Sequence, residues 1–438
     1  MLRTVRRYGS IRFMKRQRRV SPSQTRGNPE SDSGKKSKVF IGLSGGVDSS
    51  VSAALLKKAG YEVTGVFIKG WHPDWGPCGW QEDRLDAMRV CAHLGIPFRD
   101  LDLSREYKKE VVDYMVAEYR AGRTPNPDVM CNKHIKFGAF FDWALKQGAD
   151  YIATGHYARV RKAPSSKLQA PNKFQVSNYK KLQATSYKLQ ASRDSEKDQT
   201  YFLWTLTQRE LSRTLFPVGG LTKPAVRKLA KRFGLPTADK KDSQGLCFVG
   251  KVDLPDFLSH FLKPKRGKVL LAPNEVEGNE KEKIIGWHNG AFFLTIGQRH
   301  GFTIIQKTPN DSPYYIITKD IKKNTISVSQ NLKRLSKRLS KRLSLKAKPF
   351  GPVLLRNVNW LAGKAPDFSK TYFARFRYCQ PLQEIHLKNK RLNLKSVERF
   401  NLEIRFEKPQ TAIAPGQSLV IYTKSGECLG GGVVFDSK

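Results

Sequence analysis

The stretch Val39-Phe-Ile-Gly-Leu-Ser-Gly-Gly-Val-Asp-Ser-Ser50 decides the fold of the first part of this chain. Val39–Leu43 is a short apolar run of the kind that forms a buried parallel strand. Gly45 and Gly46 then make a turn, and apolar residues recur at helical spacing from Val47. A strand, a glycine turn and a helix in this order aim unpaired N–H groups and the positive end of a helix dipole at one point. This arrangement suits a phosphate group.

Outward from this stretch, strands and helices alternate from Lys38 to about Val160, which predicts a parallel sheet covered by helices on both faces. Val63–Ile68 and Tyr151–Ala153 read as two further strands. Ligands bind beyond the carboxyl ends of such strands. The glycine turn and the turn Thr154-Gly155-His156 should therefore lie at one edge of the sheet.

The later part of the chain changes character twice. Residues 205–265 read as helical, with one helix starting at Lys223-Pro224. After about residue 285 short alternating runs between turns predict a small β-barrel. The predicted strands there are Tyr314–Ile317, Thr325–Val328, Thr371–Tyr378 and Leu419–Tyr422.

Three basic segments interrupt this plan. Residues 1–37 are rich in Arg and poor in acids, residues 161–193 repeat Lys-Leu-Gln-Ala, and residues 333–348 contain repeats of Arg-Leu-Ser-Lys. We interpret the first as a disordered extension and the other two as low-complexity inserts. A short basic helix is the alternative for 333–348, because its leucines recur every four residues.

The composition limits the partners of the protein. The chain has 438 residues and a formal net charge of +41; the three basic segments carry +25 of it, which leaves +16 on the remainder. A basic folded part indicates a polyanionic partner, with nucleic acid as the first candidate. No apolar stretch is long enough to span a membrane, so no membrane partner is expected.

The cysteines and the N-terminus bear on location. Six cysteines without a Cys-x-x-Cys pair indicate a reducing compartment rather than a disulfide scaffold or a zinc ribbon. We expect a cytoplasmic protein. Residues 1–37 lack the apolar core of a secretory signal, and a mitochondrial presequence, which would direct the protein to the matrix, is the alternative.

Two of the six cysteines lie in contexts that favour chemistry. Cys131 follows Pro125-Asn-Pro-Asp-Val-Met at a probable helix start beside lysines, and Cys247 lies in a basic loop flanked by glycines. Both settings favour a reactive thiolate, although either residue could also be a small buried hydrophobe. Cys91, Cys379 and Cys428 are interpreted as packing residues, and Cys78 is left unassigned. An iron–sulfur site made by Cys78, Cys131 and Cys247 is not expected, because the spacings match no common cluster motif.

The glycine loop has no Gly-Lys-Ser/Thr and resembles the PP-loop of enzymes that split ATP into AMP and pyrophosphate. The whole chain from Lys38 to about Val434 resembles the tRNA-specific 2-thiouridylase family, which thiolates the wobble uridine of certain tRNAs. The motifs that carry the resemblance are Ser44-Gly-Gly-Val-Asp-Ser-Ser, Ala121-Gly-Arg-Thr-Pro-Asn-Pro-Asp, Cys131-Asn-Lys, Ala153-Thr-Gly-His-Tyr, Lys197-Asp-Gln, Phe216-Pro-Val-Gly, Gly245-Leu-Cys-Phe-Val-Gly, Thr295-Ile-Gly-Gln-Arg, Pro415-Gly-Gln and Cys428-Leu-Gly-Gly-Gly.

The resemblance implies a fold and a set of domains. The expected fold class is α/β, with a parallel-sheet PP-loop domain, a small mainly helical central domain and a C-terminal β-barrel. The expected boundaries are 1–37 for the extension, 38–204 for the ATP-binding domain, 205–285 for the central tRNA-binding domain and 286–438 for the barrel. The three basic segments are not features of the family.

The resemblance also implies residue roles. Cys247 would carry the persulfide sulfur, Cys131 would form a transient disulfide with it, and Asp128 would act as a general acid or base. Residues expected to contact ATP are Gly42, Leu43, Ser44, Gly45, Gly46, Val47, Asp48, Ser49, Ile68 (where the family usually has Met) and Gly155. Asn126, Pro127 and Asp128 would meet the target base. Expected tRNA contacts are His156, Lys197, Asp198, Gln199, Arg377, Tyr378 and Gln417. As a plainer alternative, Asp128 would merely cap the helix of Cys131.

The implied reaction uses ATP as a substrate, with Mg²⁺ screening its phosphates, and a persulfide as the sulfur source. Adenylation turns the uracil 2-oxygen into a good leaving group, and two thiols are needed to hold and release the sulfur. Expected partners are the tRNAs for Lys, Glu and Gln, and a cysteine desulfurase or sulfur-relay protein. A different PP-loop ligase and a non-catalytic RNA-binding protein are the alternatives.

Overall fold

The computed structural model describes residues 35–76, 79–163, 186–242, 253–272, 283–305, 311–330, 352–390 and 401–435. Its first part is an α/β domain. The elements are β1 (Lys38–Gly42), α1 (Val47–Lys58), β2 (Glu62–Lys69), α2 (Trp80–Leu94), β3 (Phe98–Asp102), α3 (Ser104–Tyr107), α4 (Tyr114–Arg120), α5 (Pro127–Met130), α6 (Phe140–Lys146), β4 (Tyr151–Ala153), β5 (Ala158–Lys162), β6 (Tyr187–Ala191), α7 (Gln208–Ser212), β7 (Thr214–Leu215) and α8 (Lys223–Arg232). Two π-helical stretches, Lys108–Asp113 and Cys131–Ala139, join α3 to α4 and α5 to α6.

The sheet of this domain has the strand order β3-β2-β1-β4-β7, and its neighbouring strands are parallel. Val39 and Ile41 of the central strand β1 are fully buried, as expected for a strand covered on both faces. The predicted parallel sheet is confirmed. The glycine turn follows the parallel strand β1, and Thr154 follows the last residue of β4, so the two predicted turns lie at the same edge.

The hairpin of β5 and β6 leaves this sheet and joins another. β6 pairs with β18 (Glu427–Val434). At the end of the hairpin where β5 and β6 are connected, the Ala163 N–H donates to the Ser186 carbonyl oxygen at 2.8 Å. The prediction that 161–193 is a disordered insert is wrong at both ends, because Arg161 and Lys162 belong to β5 and Tyr187–Ala191 is a strand with Leu189 fully buried. Residues 164–185 lie outside the described residues.

A second sheet follows the short helix α9 (Leu254–Ser259). It contains β8 (Gly267–Leu271), β9 (Ile284–His288), β10 (Phe302–Ile304), β11 (Tyr315–Asp320) and β12 (Thr325–Ser329) in the order β10-β9-β8-β12-β11. This sheet draws strands from both sides of residue 285. The domain boundaries at 204 and 285 remain predictions.

The C-terminal part forms the predicted barrel. Its strands are β13 (Val353–Trp360), β14 (Tyr372–Arg375), β15 (Gln383–Lys390), β16 (Asn401–Phe406), β17 (Ser418–Tyr422) and β18. They pair in the order β13-β16-β15-β14-β17-β18, and pairing of β13 with β18 closes the ring. The insert at 333–348 and the extension at 1–34 lie outside the described residues.

One predicted strand is shorter than expected. Thr371–Tyr378 is a strand only over Tyr372–Arg375, after which the chain bends, and Cys379 takes a left-handed backbone angle (φ 58°). Cys379 is exposed, so its interpretation as a packing residue of a β segment is wrong. Cys91 and Cys428 are buried as predicted. Among the residues described, none of the helices combines the length and apolar character needed to span a bilayer.

Candidate active site

The glycine loop between β1 and α1 is held by its own side chains. The Ser49 Oγ lies 3.3 Å from both the backbone nitrogen and the Oγ of Ser44, and it donates to the Gly46 carbonyl oxygen at 3.1 Å. Gly46 is the N-cap of α1 and supplies no side-chain cap. The first amides of a three-turn helix therefore point out of a preformed loop, which is the arrangement that binds phosphate.

Two glycines are required by close approach to backbone atoms. Gly45 has φ 66°, and a Cβ there would lie 2.4 Å from the carbonyl oxygen of Asp83. A Cβ on Gly155 would lie 2.7 Å from the backbone nitrogen of Ser49. The turn after β4 thus packs directly on the loop after β1. Ile68 is buried beneath the loop, with its Cδ1 3.6 Å from the Cβ position of Gly42.

A junction of opposite charges lies beside the loop. The Lys223 Nζ, at the start of α8, is 2.8 Å from both carboxylate oxygens of Asp48 and 2.9 Å from Asp242. The Tyr157 hydroxyl group donates to Asp48 at 2.8 Å, and Arg227 also pairs with Asp242. Lys223 therefore ties the glycine loop to Asp242.

Asp242 is the last described residue before the segment that contains Cys247. Lys197 joins Lys223 and Arg227 around its carboxylate, at 3.1 Å. Burial alone would raise the pKa of Asp242, but the hydrogen bonds from Lys223 and Lys197 lower it to about 2. The start of the Cys247 segment is thus anchored by ion pairs, while Cys247 itself lies outside the described residues.

Cys131 lies in one continuous helical run from Pro127 to Lys146. Its backbone angles (φ −58°, ψ −47°) are helical, and the π-helical stretch begins at this residue. The Asn126 side chain accepts the Val129 N–H at 3.2 Å and so caps the run. The alternative that Asp128 is the cap is wrong. Cys131 is fully buried, and Asp128, one turn earlier, is half-buried.

The same helical run packs against both turns of the sheet edge. The Phe140 ring is 3.8 Å from the Cβ position of Gly42, and the Phe137 ring lies 5.8 Å from the His156 ring. The structure therefore brings the predicted ATP-contacting residues and the helix of Cys131 to one side of the domain.

Predicted tRNA contacts from two distant segments also lie together. The Tyr378 ring packs on Phe202 with centroids 4.8 Å apart, and the Cys379 thiol lies 3.3 Å from the Glu196 carbonyl oxygen. Lys197 to Gln199 thus lie beside the turn that follows β14. Because β14 ends at Arg375, Arg377 and Tyr378 lie in the turn after the strand, and both are exposed.

Gln417 lies on a turn that Arg377 also contacts. The Arg377 guanidinium donates to the Ala412 carbonyl oxygen at 2.8 Å, and the Gln417 Oε1 accepts the Ala414 N–H at 3.0 Å. The structure thus connects the predicted tRNA contacts at 377 and 417.

Three of the side chains predicted to contact tRNA already have partners within the protein. Asp198 is only 2% exposed, accepts hydrogen bonds from Thr200 and faces Arg375. Gln199 accepts the Tyr157 N–H at 2.9 Å. His156 is buried between Phe137 and Phe216, and burial holds its pKa well below the usual value. Their predicted tRNA contacts stay predictions, since the side chains are occupied in this conformation.

Lys223, Asp242 and Tyr157 were missed as candidates by sequence reasoning. One signal was present: a cation at the first residue of a helix opposes the helix dipole unless carboxylates surround it. Asp48 and Asp242 do so here.

The glycine loop, the parallel sheet and the two β-rich parts of the chain together define a class of protein. This class is an enzyme with a HUP-type nucleotide-binding domain followed by two β domains. Three family models match the chain in this order. They are described as tRNA methyl transferase HUP domain (residues 37–251), tRNA methyl transferase PRC-barrel domain (255–330) and aminomethyltransferase β-barrel domain (352–434). The predicted α/β class, with its parallel-sheet domain and C-terminal β-barrel, is confirmed. The part between them is a second β domain rather than a mainly helical one.

Full-length relatives narrow this class. The chain is 40% identical over 401 residues to the tRNA-specific 2-thiouridylase MnmA 2 of Geobacillus kaustophilus and to the MnmA of Geobacillus thermodenitrificans. It is 40% identical over 402 residues to the MnmA of Streptococcus thermophilus. Each match covers 91% of this chain and 95% of the relative. The chain belongs to the tRNA-specific 2-thiouridylase family, which confirms the predicted family and the predicted enzyme class, a tRNA-uridine sulfurtransferase.

Proposed function

We propose that this protein catalyses the ATP-dependent 2-thiolation of the wobble uridine of tRNA, yielding 2-thiouridine, AMP and pyrophosphate. The observation that carries the proposal is the packing of the Cys131 helix on Gly42 and on the His156 turn. A site for ATP and a cysteine thus share one side of the α/β domain.

Adenylation is assigned to the glycine loop. The free amides at the start of α1, with the hydroxyl groups of Ser44 and Ser49, would hold the pyrophosphate part of ATP. The uracil 2-oxygen would then attack the α-phosphorus, and pyrophosphate would leave. Ile68 and Gly155 would line the rest of the nucleotide site.

Magnesium would reach this site mainly as the ion of MgATP. In the part of the chain that the structure describes, no group of three or more His, Cys, Asp or Glu residues could form a metal cage. Asp48 is the carboxylate at the loop, and it is paired with Lys223. This donor set fits an ion that is held by phosphate oxygens and water rather than by a dedicated protein site.

Sulfur transfer is assigned to two cysteines. The outer sulfur of a Cys247 persulfide would attack C2 of the adenylated base, and AMP would leave with the former 2-oxygen. The Cys131 thiolate would then attack the Cys247 Sγ, which releases the thiocarbonyl base and leaves a Cys131–Cys247 disulfide. A thiol reductant and a sulfur donor, such as a cysteine desulfurase or relay protein, would close the cycle.

Substrate binding is assigned to the loop of Asn126–Asp128 for the flipped base and to the exposed Arg377–Tyr378 turn for the rest of the tRNA. Asp128 would serve as the general acid or base. We expect the tRNAs for Lys, Glu and Gln as substrates. A mechanism that uses two cysteine thiols requires a reducing compartment, and we propose the cytoplasm, with the mitochondrial matrix as the alternative.

The test is a thiolation assay with purified protein, ATP, a persulfide donor and unmodified tRNA, read on a mercury-containing gel. Wild-type protein should give the retarded band of thiolated tRNA. Cys131→Ser and Cys247→Ser should each abolish it, while Cys379→Ser, which removes an exposed thiol outside the proposed chemistry, should not.

Other outcomes would separate the alternatives. Pyrophosphate release driven by a small molecule, without tRNA, would identify a different ligase. tRNA binding without ATP cleavage would indicate a non-catalytic RNA-binding protein. Full activity in either Cys131→Ser or Cys247→Ser would contradict the two-cysteine mechanism.

A further inference from the structure

The loop immediately ahead of the Cys131 helix is held from both β-rich parts of the chain. The Thr124 N–H donates to the Pro415 carbonyl oxygen at 2.8 Å, which is a contact with the C-terminal barrel. The Thr124 Oγ1 lies 3.1 Å from the Oγ1 of Thr295, which follows the second sheet's β9. Thr124 thus has one partner in each part.

Close packing around this loop leaves no room for a Cβ atom at two glycines. Gly416 has φ 91°, and a Cβ there would lie 2.9 Å from both the nitrogen and the oxygen of Thr124. Gly122 has φ 76°, and its Cβ would lie 2.4 Å from the Ile321 Cγ1. The loop is therefore seated by close backbone packing as well as by hydrogen bonds.

The two turns that contact Thr124 also contact each other. A Cβ on Gly297 would lie 2.2 Å from the Ala412 Cβ, and Ala412 has an uncommon left-handed backbone angle (φ 61°). Arg377 donates to the carbonyl oxygen of this same Ala412. The Thr295–Gly297 turn and the Ala412–Gly416 turn therefore form one unit around Thr124.

The other end of the loop is fixed by a buried tyrosine. The Tyr201 hydroxyl group lies 3.0 Å from the carbonyl oxygens of Phe376 and Ser418, both in the C-terminal barrel. It also makes a hydrogen bond with the Asn126 side chain. Asn126 in turn caps the helix of Asp128 and Cys131.

We propose that Thr295 and Gly416 are positioning residues for thiolation. They fix Thr124, and through residues 124–126 they set where Asn126, Asp128 and Cys131 lie relative to the ATP loop. Neither residue touches the reacting atoms. The inference rests on the proposed role of the Asn126–Cys131 segment in the thiolation reaction. Small misplacements of reacting groups are costly, on the order of 100-fold for 1 Å.

Two matched pairs of variants test the inference. Thr295→Val removes the hydroxyl group at constant shape, whereas Thr295→Ser keeps it. Gly416→Ala places a Cβ against Thr124, whereas Gly363→Ala places one at a similar backbone angle (φ 73°) in the same part of the chain with no atom within 4 Å. Steady-state thiolation gives kcat and the KM values for ATP and tRNA, and thermal unfolding gives Tm.

Thr295→Val should lower kcat roughly tenfold with both KM values within about twofold of wild type, and Thr295→Ser should restore kcat. Gly416→Ala should lower kcat about 100-fold, and Gly363→Ala should lose far less. Should Gly416→Ala not fold, the Thr295 pair decides the question.

Equal kcat values for Thr295→Val and Thr295→Ser would overturn the inference. A rise in the KM for tRNA at unchanged kcat would overturn it too, because that result assigns these turns to RNA binding. Wild-type protein that fails to thiolate tRNA would instead contradict the proposed function itself.

Discussion

The glycine loop and the segment leading to Cys131 are built in opposite ways. The hydrogen bonds inside the loop join residues that are close in sequence: Ser44 and Ser49 are five positions apart. Thr124, ahead of Cys131, is held by Thr295, which is 171 positions away. The proposed ATP half of the site thus has internal hydrogen bonds from one short stretch of sequence, whereas the segment proposed for sulfur transfer is held by contacts from both β-rich parts of the chain. Changes to the two halves should therefore be separable.

Gly155→Ala is expected to give the largest difference between the effect on ATP use and the effect on sulfur loading. A Cβ at 2.7 Å from the Ser49 nitrogen must displace the backbone of the loop. We expect kcat/KM for ATP to fall about 100-fold, because the amides that we propose to hold pyrophosphate would be displaced. Loading of persulfide sulfur onto Cys247, followed with a radiolabelled sulfur donor, should be unchanged.

The control for this change is Gly79→Ala, where a Cβ meets no atom within 4 Å. It should keep ATP turnover near the wild-type value. If Gly155→Ala lowered persulfide loading as much as ATP turnover, the two halves would not be separable.

Lys223→Gln should affect both halves, because Lys223 pairs with Asp48 of the loop and with Asp242 ahead of the Cys247 segment. The Lys223 side chain is only 13% exposed, so its loss leaves two carboxylates facing each other without their shared cation. We expect the free energy of unfolding to fall by roughly 2 kcal/mol. In the steady-state thiolation assay, the KM for ATP should rise and the rate of thiolation should fall.

Lys231→Gln is the matched control on the same helix, since its pair with Asp239 is mostly exposed. Its effect on unfolding should stay within about 0.5 kcal/mol. An equal effect of the two lysine variants on the KM for ATP would contradict the prediction that Lys223 joins the glycine loop to the segment of Cys247.

The smallest effect is expected from His288 in β9, in the sheet that supports Thr124 from one side. Burial lowers the pKa of His288 to about 4, while its Nδ1 accepts the Gly290 N–H. The unfolded chain binds the proton at about pH 6.5. Stability from neutral His288 is therefore fully present above that pH and lost as the pH falls towards 4. The loss between pH 7.5 and 5.5 should be about 1 kcal/mol.

Urea unfolding at the two pH values measures this loss. His288→Asn keeps an acceptor for Gly290 but cannot bind the proton, so its stability should depend less steeply on pH. Identical pH dependence in the variant and the wild type would show that His288 does not carry the effect.

Local patterns in the sequence were enough for much of the fold. The strand before the glycine turn, β4 and the C-terminal barrel follow from apolar runs and alternation. The strand Tyr187–Ala191 was hidden because its Lys-Leu-Gln-Ala tetrad repeats elsewhere as an apparent low-complexity motif. Only its alternation, with buried Leu189 between more exposed Lys188 and Gln190, distinguished it.

The short motifs of the site could be predicted from the sequence, but the long-range contacts that hold them could not. The glycine loop and the Asn126–Cys131 segment could be proposed from sequence, because each is one short motif. The contacts of Thr124 with Thr295 and Pro415, and those of Lys223 with Asp48 and Asp242, depend on tertiary structure that no spacing encodes. The early end of β14 at Arg375 likewise follows from the turn at Cys379 rather than from alternation.

The β5–β6 hairpin has a practical consequence. Ala163 and Ser186, the described residues on either side of the segment 164–185, are joined by one hydrogen bond, so the described fold fixes the two ends of this connection but not its length. The entropic cost of a longer connection grows only slowly with its length. We therefore expect an affinity tag or a fluorescent domain inserted at this position to leave the α/β domain and the barrel unchanged.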